Sequence, residues 1–147
     1  MMKQILLAIV LLGSLSACYQ SELATGHGAV VSKDKERAAS TLYRGLMYGK
    51  LEQIKPYVSE DLYEILSTDA AQFKQIRATI PKQEILEKEV YSTKSKMNLL
   101  LFKREPLEVV YHYRYLDKIV IYTVYYDHKT SKIVEFSLQN TPVLEVE

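Results

Sequence analysis

The chain has 147 residues, a formal net charge of +1 and one cysteine. This length suits one ordinary domain, and the near-neutral charge argues against a net field that recruits nucleic acid or anionic lipid. With one cysteine no intramolecular disulfide can form, so packing alone must stabilise the fold. Tyrosine is in conspicuous excess, because twelve are present and tryptophan is absent.

The first segment of the chain is typical of an export signal. Lys3 precedes an uninterrupted apolar block at residues 5–12, which is too short to span a bilayer. The next residues, Leu15-Ser16-Ala17-Cys18, resemble the lipobox of bacterial lipoproteins. The resemblance implies cleavage of a signal peptide at residues 1–17, acylation of Cys18 and a lipid-anchored protein of the cell envelope. Tyr19 rather than Asp follows, which by resemblance to lipoprotein sorting favours the outer membrane, facing the periplasm.

Residues 18–31 follow the predicted cleavage site and are mostly small, polar or glycine, with no period that could bury a face. We expect them to be the lipidated cysteine and a flexible tether. His27 lies between two glycines there, without partners at ligand spacing, so it does not indicate a metal site. A single folded domain is then expected at residues 32–147.

The first half of this domain is predicted to be helical. A helical period begins at Ser32, a suitable N-cap, and ends near Gly49, a suitable C-cap. A short segment follows, and then a helix capped by Ser59, which Ser67-Thr68-Asp69 break or recap. The last helix ends at Pro81.

After Pro81 the period changes to two and Val, Ile, Tyr and Thr become frequent, which is typical of strands. Short turns at residues 116–118 and 128–132 predict an antiparallel meander. Helices first and sheet second predict an α+β domain, with helices packed on a curved antiparallel sheet of about four to five strands. The predicted strands cover residues 85–93, 98–103, 107–115, 119–127 and 133–139.

The two faces of the predicted meander differ. A two-residue loop in the first hairpin and a four-residue loop in the second place His112, Arg114 and Tyr125 on a mostly aliphatic face. That face suits the helices, so these three are candidate pocket residues. It also holds Val134, Phe136 and Leu138. The other face is expected to point outward and carries a ladder of tyrosines, Tyr111, Tyr113, Tyr115, Tyr122 and Tyr126. A bulge in either turn would exchange the partners.

The tyrosine ladder has two explanations. Cross-strand aromatic pairs contribute roughly 0.2 to 1 kcal/mol each, so the ladder could simply stabilise an exposed sheet face. Tyrosine also offers a large rigid area and a hydroxyl at low entropic cost, which makes it frequent at interfaces. We favour a surface for an envelope protein partner or a homodimer contact. Nucleic acid is not expected, because the chain has no basic stripe.

The order of elements over residues 32–139 carries a second resemblance. A long helix, two shorter helices and strands such as Val109-Val110-Tyr111-His112-Tyr113 are similar to the nuclear transport factor 2-like, or cystatin-like, α+β cone. The resemblance implies a curved sheet that wraps the helices and leaves a pocket. In that superfamily the pocket serves enzymes such as ketosteroid isomerase, and many members are non-catalytic bacterial lipoproteins. The fold therefore does not decide the function.

The sequence does not name a reaction. His112 with Arg114 is the strongest catalytic candidate, with Asp61 or Asp69 as possible neighbours, but nothing in the sequence indicates a perturbed pKa or a positioning partner. Asp127-His128 opens a turn rich in Lys, Thr and Ser, which favours turn chemistry. Phosphate loops, HExxH, CxxC and GxSxG motifs are absent. We therefore expect a non-catalytic binding protein without cofactor or metal, for a protein or a small ligand. The alternative is a pocket enzyme or a small-ligand carrier of the ketosteroid-isomerase type.

Overall fold

The computed structural model describes residues 30–95, 97–98 and 103–143. The predicted signal peptide, Cys18 and most of the predicted tether lie outside these ranges. The described part has four α-helices followed by a four-stranded antiparallel sheet, which is the predicted α+β arrangement. Among the helices of these ranges, none combines the length and the apolar character needed to cross a bilayer.

The helices begin and end at capping residues that the sequence predicts. Helix α1 begins after Ser32, whose side chain accepts from the Lys35 N–H, and ends at Gly49, where φ is 70°. Ser59 and Asp69 cap the third and fourth helices in the same way. The bounds are Lys33–Tyr48 for α1, Leu51–Ile54 for α2, Glu60–Thr68 for α3 and Ala70–Thr79 for α4, with a 3-10 turn at Lys55–Tyr57.

The first described residues correct the end of the predicted tether. Val30 is exposed, whereas Val31 is buried and packs in the core. Burying a valine side chain is favourable by about 1.5 kcal/mol or more, so the domain extends to this residue. Val31, which was predicted to be the last residue of the tether, therefore belongs to the folded domain.

The sheet has four strands, which are β1 (Glu87–Lys94), β4 (Leu107–Arg114), β5 (Lys118–Tyr126) and β6 (Ile133–Pro142). They lie side by side in this order, and each is antiparallel to the next. Outside this sheet, β2 (Met97–Asn98) pairs with β3 (Lys103–Arg104). Asn98 and Lys103, the two ends of the strand predicted at residues 98–103, are antiparallel partners of each other and so do not share one strand. Residues 99–102 lie outside the described ranges.

The first hairpin confirms the predicted sorting of faces. The Tyr115 N–H donates to the Lys118 carbonyl at 2.8 Å, which closes a two-residue loop between β4 and β5. Even-numbered residues of β4 consequently share a face with odd-numbered residues of β5, as the pairing of His112 with Ile121 shows.

The second hairpin has the predicted loop length, but a bulge follows it. The Asp127 N–H donates to the Lys132 carbonyl at 2.9 Å, which leaves four residues in the loop. Val134 is then an extra residue in β6, and it exchanges the two faces of the strand beyond it. Phe136 and Leu138 were predicted on the aliphatic face and lie instead on the tyrosine face.

The core lies between the helices and one face of the sheet. Helix α1 contributes Ala38, Ala39, Leu42, Tyr43 and Leu46, and the shorter segments after it add Ile54, Val58, Leu62 and Leu66. On the opposite side of the sheet the side chains remain partly or fully exposed. We call this side the outer face. Its residues are Glu87, Glu89, Tyr91, Ser92 and Lys94 of β1, Glu108, Val110, His112 and Arg114 of β4, Ile119, Ile121, Thr123 and Tyr125 of β5, and Glu135, Ser137, Gln139 and Thr141 of β6.

Candidate binding surface on the open face of the sheet

The five tyrosines predicted to face outward are buried in the core. Their exposed fraction is 0–2 % for Tyr111, Tyr113, Tyr115, Tyr122 and Tyr126. Tyr43 of helix α1 packs among them, with its ring centroid 4.3 Å from that of Tyr113 and 5.2 Å from that of Tyr122. The predicted partner surface and homodimer contact on this face are therefore wrong, because this is the face that the helices cover.

The tyrosines can be buried because their hydroxyls have partners. The Tyr122 hydroxyl donates to the Ala39 carbonyl at 3.1 Å. The Tyr126 hydroxyl donates to the Lys35 carbonyl at 2.7 Å, so both bonds attach strand β5 to helix α1. Two further pairs of hydroxyl oxygens lie within hydrogen-bond distance, Tyr43 with Tyr115 at 2.7 Å and Tyr111 with Tyr126 at 3.1 Å.

Burial also changes the acidity of these phenols. It raises the pKa of Tyr111 to about 12 and raises the pKa of Tyr43, Tyr113 and Tyr122 above the ordinary value of 10.0. The buried phenols are therefore neutral at physiological pH and contribute volume and hydrogen bonds. Their rings fill the space between α1 and the sheet, where the cone resemblance implied a pocket.

The candidate pocket residues His112, Arg114 and Tyr125 lie on the outer face and not beneath the helices. The prediction that they line a pocket under the helices is wrong. The physical reason is that tyrosine rings, whose hydroxyls have hydrogen-bond partners, fill the layer next to α1. Because side chains alternate along a strand, the residues between these tyrosines face the surface.

His112 is held by two side chains of strand β1. Its Nδ1 lies 3.3 Å from Glu89 Oε1, and its ring stacks on Tyr91 with centroids 4.1 Å apart and planes at 16°. The register of β1 shifts between Val90 and Ser92, which brings Tyr91 to the face of His112. The His112 side chain keeps 20 % of its exposure, so the arrangement presents a fixed imidazole at the surface.

Arg114 has a looser partner at the end of the same face. Its Nη1 lies 3.9 Å from Glu87 Oε2, and both side chains are more than half exposed. An exposed ion pair of this kind contributes about 0–1 kcal/mol, so it does little to fix Arg114. Asp61 and Asp69, considered as possible neighbours of His112 and Arg114, are exposed residues of the helical half, on the other side of the sheet.

The Asp127-His128 pair belongs to a turn, as the sequence predicts. Asp127 Oδ1 accepts from the N–H groups of Thr130 and Lys129, both at 2.8 Å. These backbone bonds lower the pKa of the Asp127 carboxyl. The carboxylate therefore closes the β5–β6 loop.

Tyr125 lies in a shallow groove at the end of the outer face farthest from the β4–β5 hairpin. The groove has a volume of about 270 Å³ and is lined by Lys94, Glu105, Pro106, Glu108, Tyr125 and Glu135. Burial, and then the negative charges of Glu108 and Glu135, raise the pKa of the Tyr125 hydroxyl. The groove adds an aromatic and predominantly acidic feature to the outer face.

The sequence did not reveal the neighbours of the candidate residues. Glu89 and Tyr91 reach His112 because β1 pairs with β4, and Glu108 and Glu135 flank Tyr125 because β4, β5 and β6 are adjacent. A carboxyl group at Glu89 and an imidazole at His112, in two predicted strands, were a usable signal for that pairing.

The outer face carries aliphatic side chains that another protein could contact. Val110, Ile119 and Ile121 are partly exposed and lie among polar and charged side chains. Within residues 30–95, 97–98 and 103–143, no three His, Cys, Asp or Glu side chains are grouped to hold a metal ion.

Comparisons with known proteins give no relative for this chain. No family model matches it, and neither a curated protein nor a solved structure matches it at a significant level. Function must therefore be inferred from the residues and their geometry.

Proposed function

We propose that this protein is a lipid-anchored protein of the cell envelope whose domain binds another envelope protein without catalysing a reaction. The apolar block at residues 5–12 and the lipobox-like Leu15-Ser16-Ala17-Cys18 support the anchor. Each buried acyl methylene contributes about 0.8 kcal/mol, so two or more chains on Cys18 would hold the protein to the membrane almost permanently. Tyr19 after the cysteine supports the outer membrane, facing the periplasm.

The observation that carries the binding role is the exposed outer face of the sheet. Its partly exposed aliphatic side chains, Val110, Ile119 and Ile121, lie among polar and charged residues. Apolar side chains surrounded by polar ones are typical of surfaces that contact other proteins. His112 is already ordered by Glu89 and Tyr91, which lowers the entropic cost of using it in a contact.

The fold that we propose is the nuclear transport factor 2-like cone. The order of helices followed by an antiparallel meander supports it. Tyrosine rings occupy the layer in which that superfamily has its pocket. This favours binding at the outer face over the pocket enzyme or small-ligand carrier.

Site-specific photo-crosslinking in the native cells tests the binding role. Ile121 of the outer face is replaced by benzoyl-phenylalanine, and exposed Gln75 of helix α4 is the matched control. We expect irradiation to give one adduct of defined size from position 121 and none from position 75. Ser137, also on the outer face, should give the same adduct. Equal adducts from positions 75 and 121, or none from 121 and 137, would reject the outer face as the binding surface.

A further inference from the structure

Among the described residues, five large apolar or aromatic side chains are exposed, and three of them belong to one end of the domain. The exposed fractions are 82 % for Leu116, 63 % for Tyr48 and 58 % for Leu86. A single exposed apolar side chain is ordinary, but several grouped at one place mark a contact site. We call these three residues the apolar tip.

The three residues lie at one end of the domain. Leu116 is in the two-residue β4–β5 loop, directly after Tyr115. The Leu86 N–H donates to the Arg114 carbonyl at 2.8 Å, which places Leu86 beside that hairpin. Tyr48 is the last residue of α1 and lies just over one helical turn beyond Tyr43, whose hydroxyl is 2.7 Å from that of Tyr115.

The charges around the apolar tip favour cations. The carboxylates of Glu87 and Asp117 are each matched by a cation, Arg114 at 3.9 Å and Lys118 at 3.4 Å. Lys82 and Glu84, in the segment leading to Leu86, offset each other. Arg44, one helical turn before Tyr48, and Lys50, two residues after it, are exposed and add positive charge. With Arg77, which lies against Gly49, these cations outnumber Glu52, so the described residues around the tip carry a net positive charge.

We propose that the apolar tip docks on the surface of an anionic phospholipid bilayer. Exposed leucine and tyrosine beside arginine and lysine is the composition that lies at the boundary between headgroups and acyl chains. The inference rests on the proposed lipid anchor, which would keep a bilayer close to the domain. Tethering of that kind gives effective concentrations of about millimolar, so a weak contact suffices.

The size of the apolar tip favours a bilayer over a second copy of the chain as its binding partner. A stable protein interface buries about 800 Å² on each partner and about 20–30 residues a side. The tip has three large apolar side chains, which is too few for such an interface.

The geometry allows the tip to reach the anchoring membrane. The 16 residues of α1 measure about 24 Å and separate the start of the domain from the tip. Cys18 and Val30 are twelve residues apart, which spans up to about 40 Å when extended. The domain can therefore turn its apolar tip towards the membrane that holds Cys18, with the outer face standing at its side.

Quenching by brominated lipids tests the docking. The full-length protein is extracted from its native membrane and reconstituted in vesicles of phosphatidylcholine with or without phosphatidylglycerol. An environment-sensitive fluorophore is attached at Leu116→Cys or, as the matched control, at exposed Ser137→Cys in the middle of β6. We expect several-fold stronger quenching at position 116 than at 137, and more with phosphatidylglycerol. With the probe at 116, Leu86→Ser should lower the quenching, and Val30→Ser, exposed at the far end of α1, should not.

The outcomes separate this inference from the anchor. Equal and weak quenching at both positions, while the protein floats with the vesicles, overturns docking and leaves the anchor intact. If Cys18 carries no acyl chain, the same probes are measured in a Cys18→Ser background at raised lipid concentration. In that background, stronger quenching at position 116 than at 137 would support docking that does not need the anchor. Equal quenching at the two positions would overturn docking.

Discussion

The Tyr43 hydroxyl of helix α1 lies 2.7 Å from the Tyr115 hydroxyl at the end of strand β4, across 72 positions of sequence. Both side chains are fully buried. Each hydroxyl is the partner that lets the other be buried, because an unpaired buried hydroxyl costs about 1–3 kcal/mol. The pair therefore joins the helical half of the chain to the sheet.

A double-mutant cycle should detect this coupling. We expect Tyr43→Phe and Tyr115→Phe each to lower the free energy of unfolding by about 1–2 kcal/mol, since each leaves one buried hydroxyl alone. The double variant should lose less than the sum of the two, which urea unfolding would measure. Strictly additive losses would show that the two hydroxyls are not coupled.

Truncation of a buried tyrosine should destabilise the domain severely. Tyr122 is fully buried, and we expect Tyr122→Ala to cost about 3–5 kcal/mol. The matched control is Tyr91→Ala, because Tyr91 lies 40 % exposed on the outer face. It should cost less than about 1 kcal/mol, and the difference would appear in thermal unfolding followed by circular dichroism. Equal losses for both variants would contradict the assignment of faces.

The raised pKa of the buried phenols predicts alkaline unfolding. The unfolded chain releases a tyrosine proton near the ordinary pKa of 10.0, whereas folded Tyr111 holds it to about 12. The free energy of unfolding should therefore be unaffected by this group below pH 10 and should fall as the pH rises towards 12. Between these values only the unfolded state releases the proton. Tyrosinate absorbance and near-ultraviolet circular dichroism should change together in that window. The chain in concentrated urea is the control and should titrate near pH 10; a folded chain that titrates at the same pH would contradict the burial.

The elements that depend on local chemistry were predictable. Ser32, Gly49, Ser59 and Asp69 bound the helices because their side chains or backbone serve the nearest turn. The two-residue loop before Lys118 likewise sets the register of β4 with β5.

The choice of buried face was not predictable in the same way. The acceptors for Tyr122 and Tyr126 are backbone carbonyls of Ala39 and Lys35, which become available only when α1 packs on the sheet. Hydrophobicity alone favoured the aliphatic face. A usable signal was the small size of Ala38 and Ala39 on the inner side of α1, which leaves room for rings. The bulge at Val134 has no signature in the sequence that we can identify.

The candidate site was predicted only in part. His112, Arg114 and Tyr125 do share a face with Ile121, but the face is the exposed one. Their neighbours Glu87, Glu89 and Tyr91 come from β1, whose pairing with β4 depends on long-range contacts.

Replacement of Gly45 by alanine compares two opposing effects, the gain in helix propensity and the cost of overpacking. In an exposed helix, replacement of glycine by alanine would stabilise by about 1 kcal/mol. A Cβ at position 45 would overlap the Cγ2 methyl of Ile54, however, and overpacking costs about 1–3 kcal/mol. We expect Gly45→Ala to lower the urea midpoint, and Ile54→Leu, which lacks that methyl, to recover part of the loss. A stabilised Gly45→Ala variant would show that α1 and α2 are not packed as described.

The lipid anchor is the central claim, and the intact mass of the protein extracted from its native membrane tests it most directly. We expect residues 1–17 to be missing and the chain to begin at Cys18 with the added mass of at least two acyl chains. The Cys18→Ser variant is the control and should carry no acyl mass and retain the first 17 residues. A protein with an unmodified Cys18, or with its first residue elsewhere, would contradict the account.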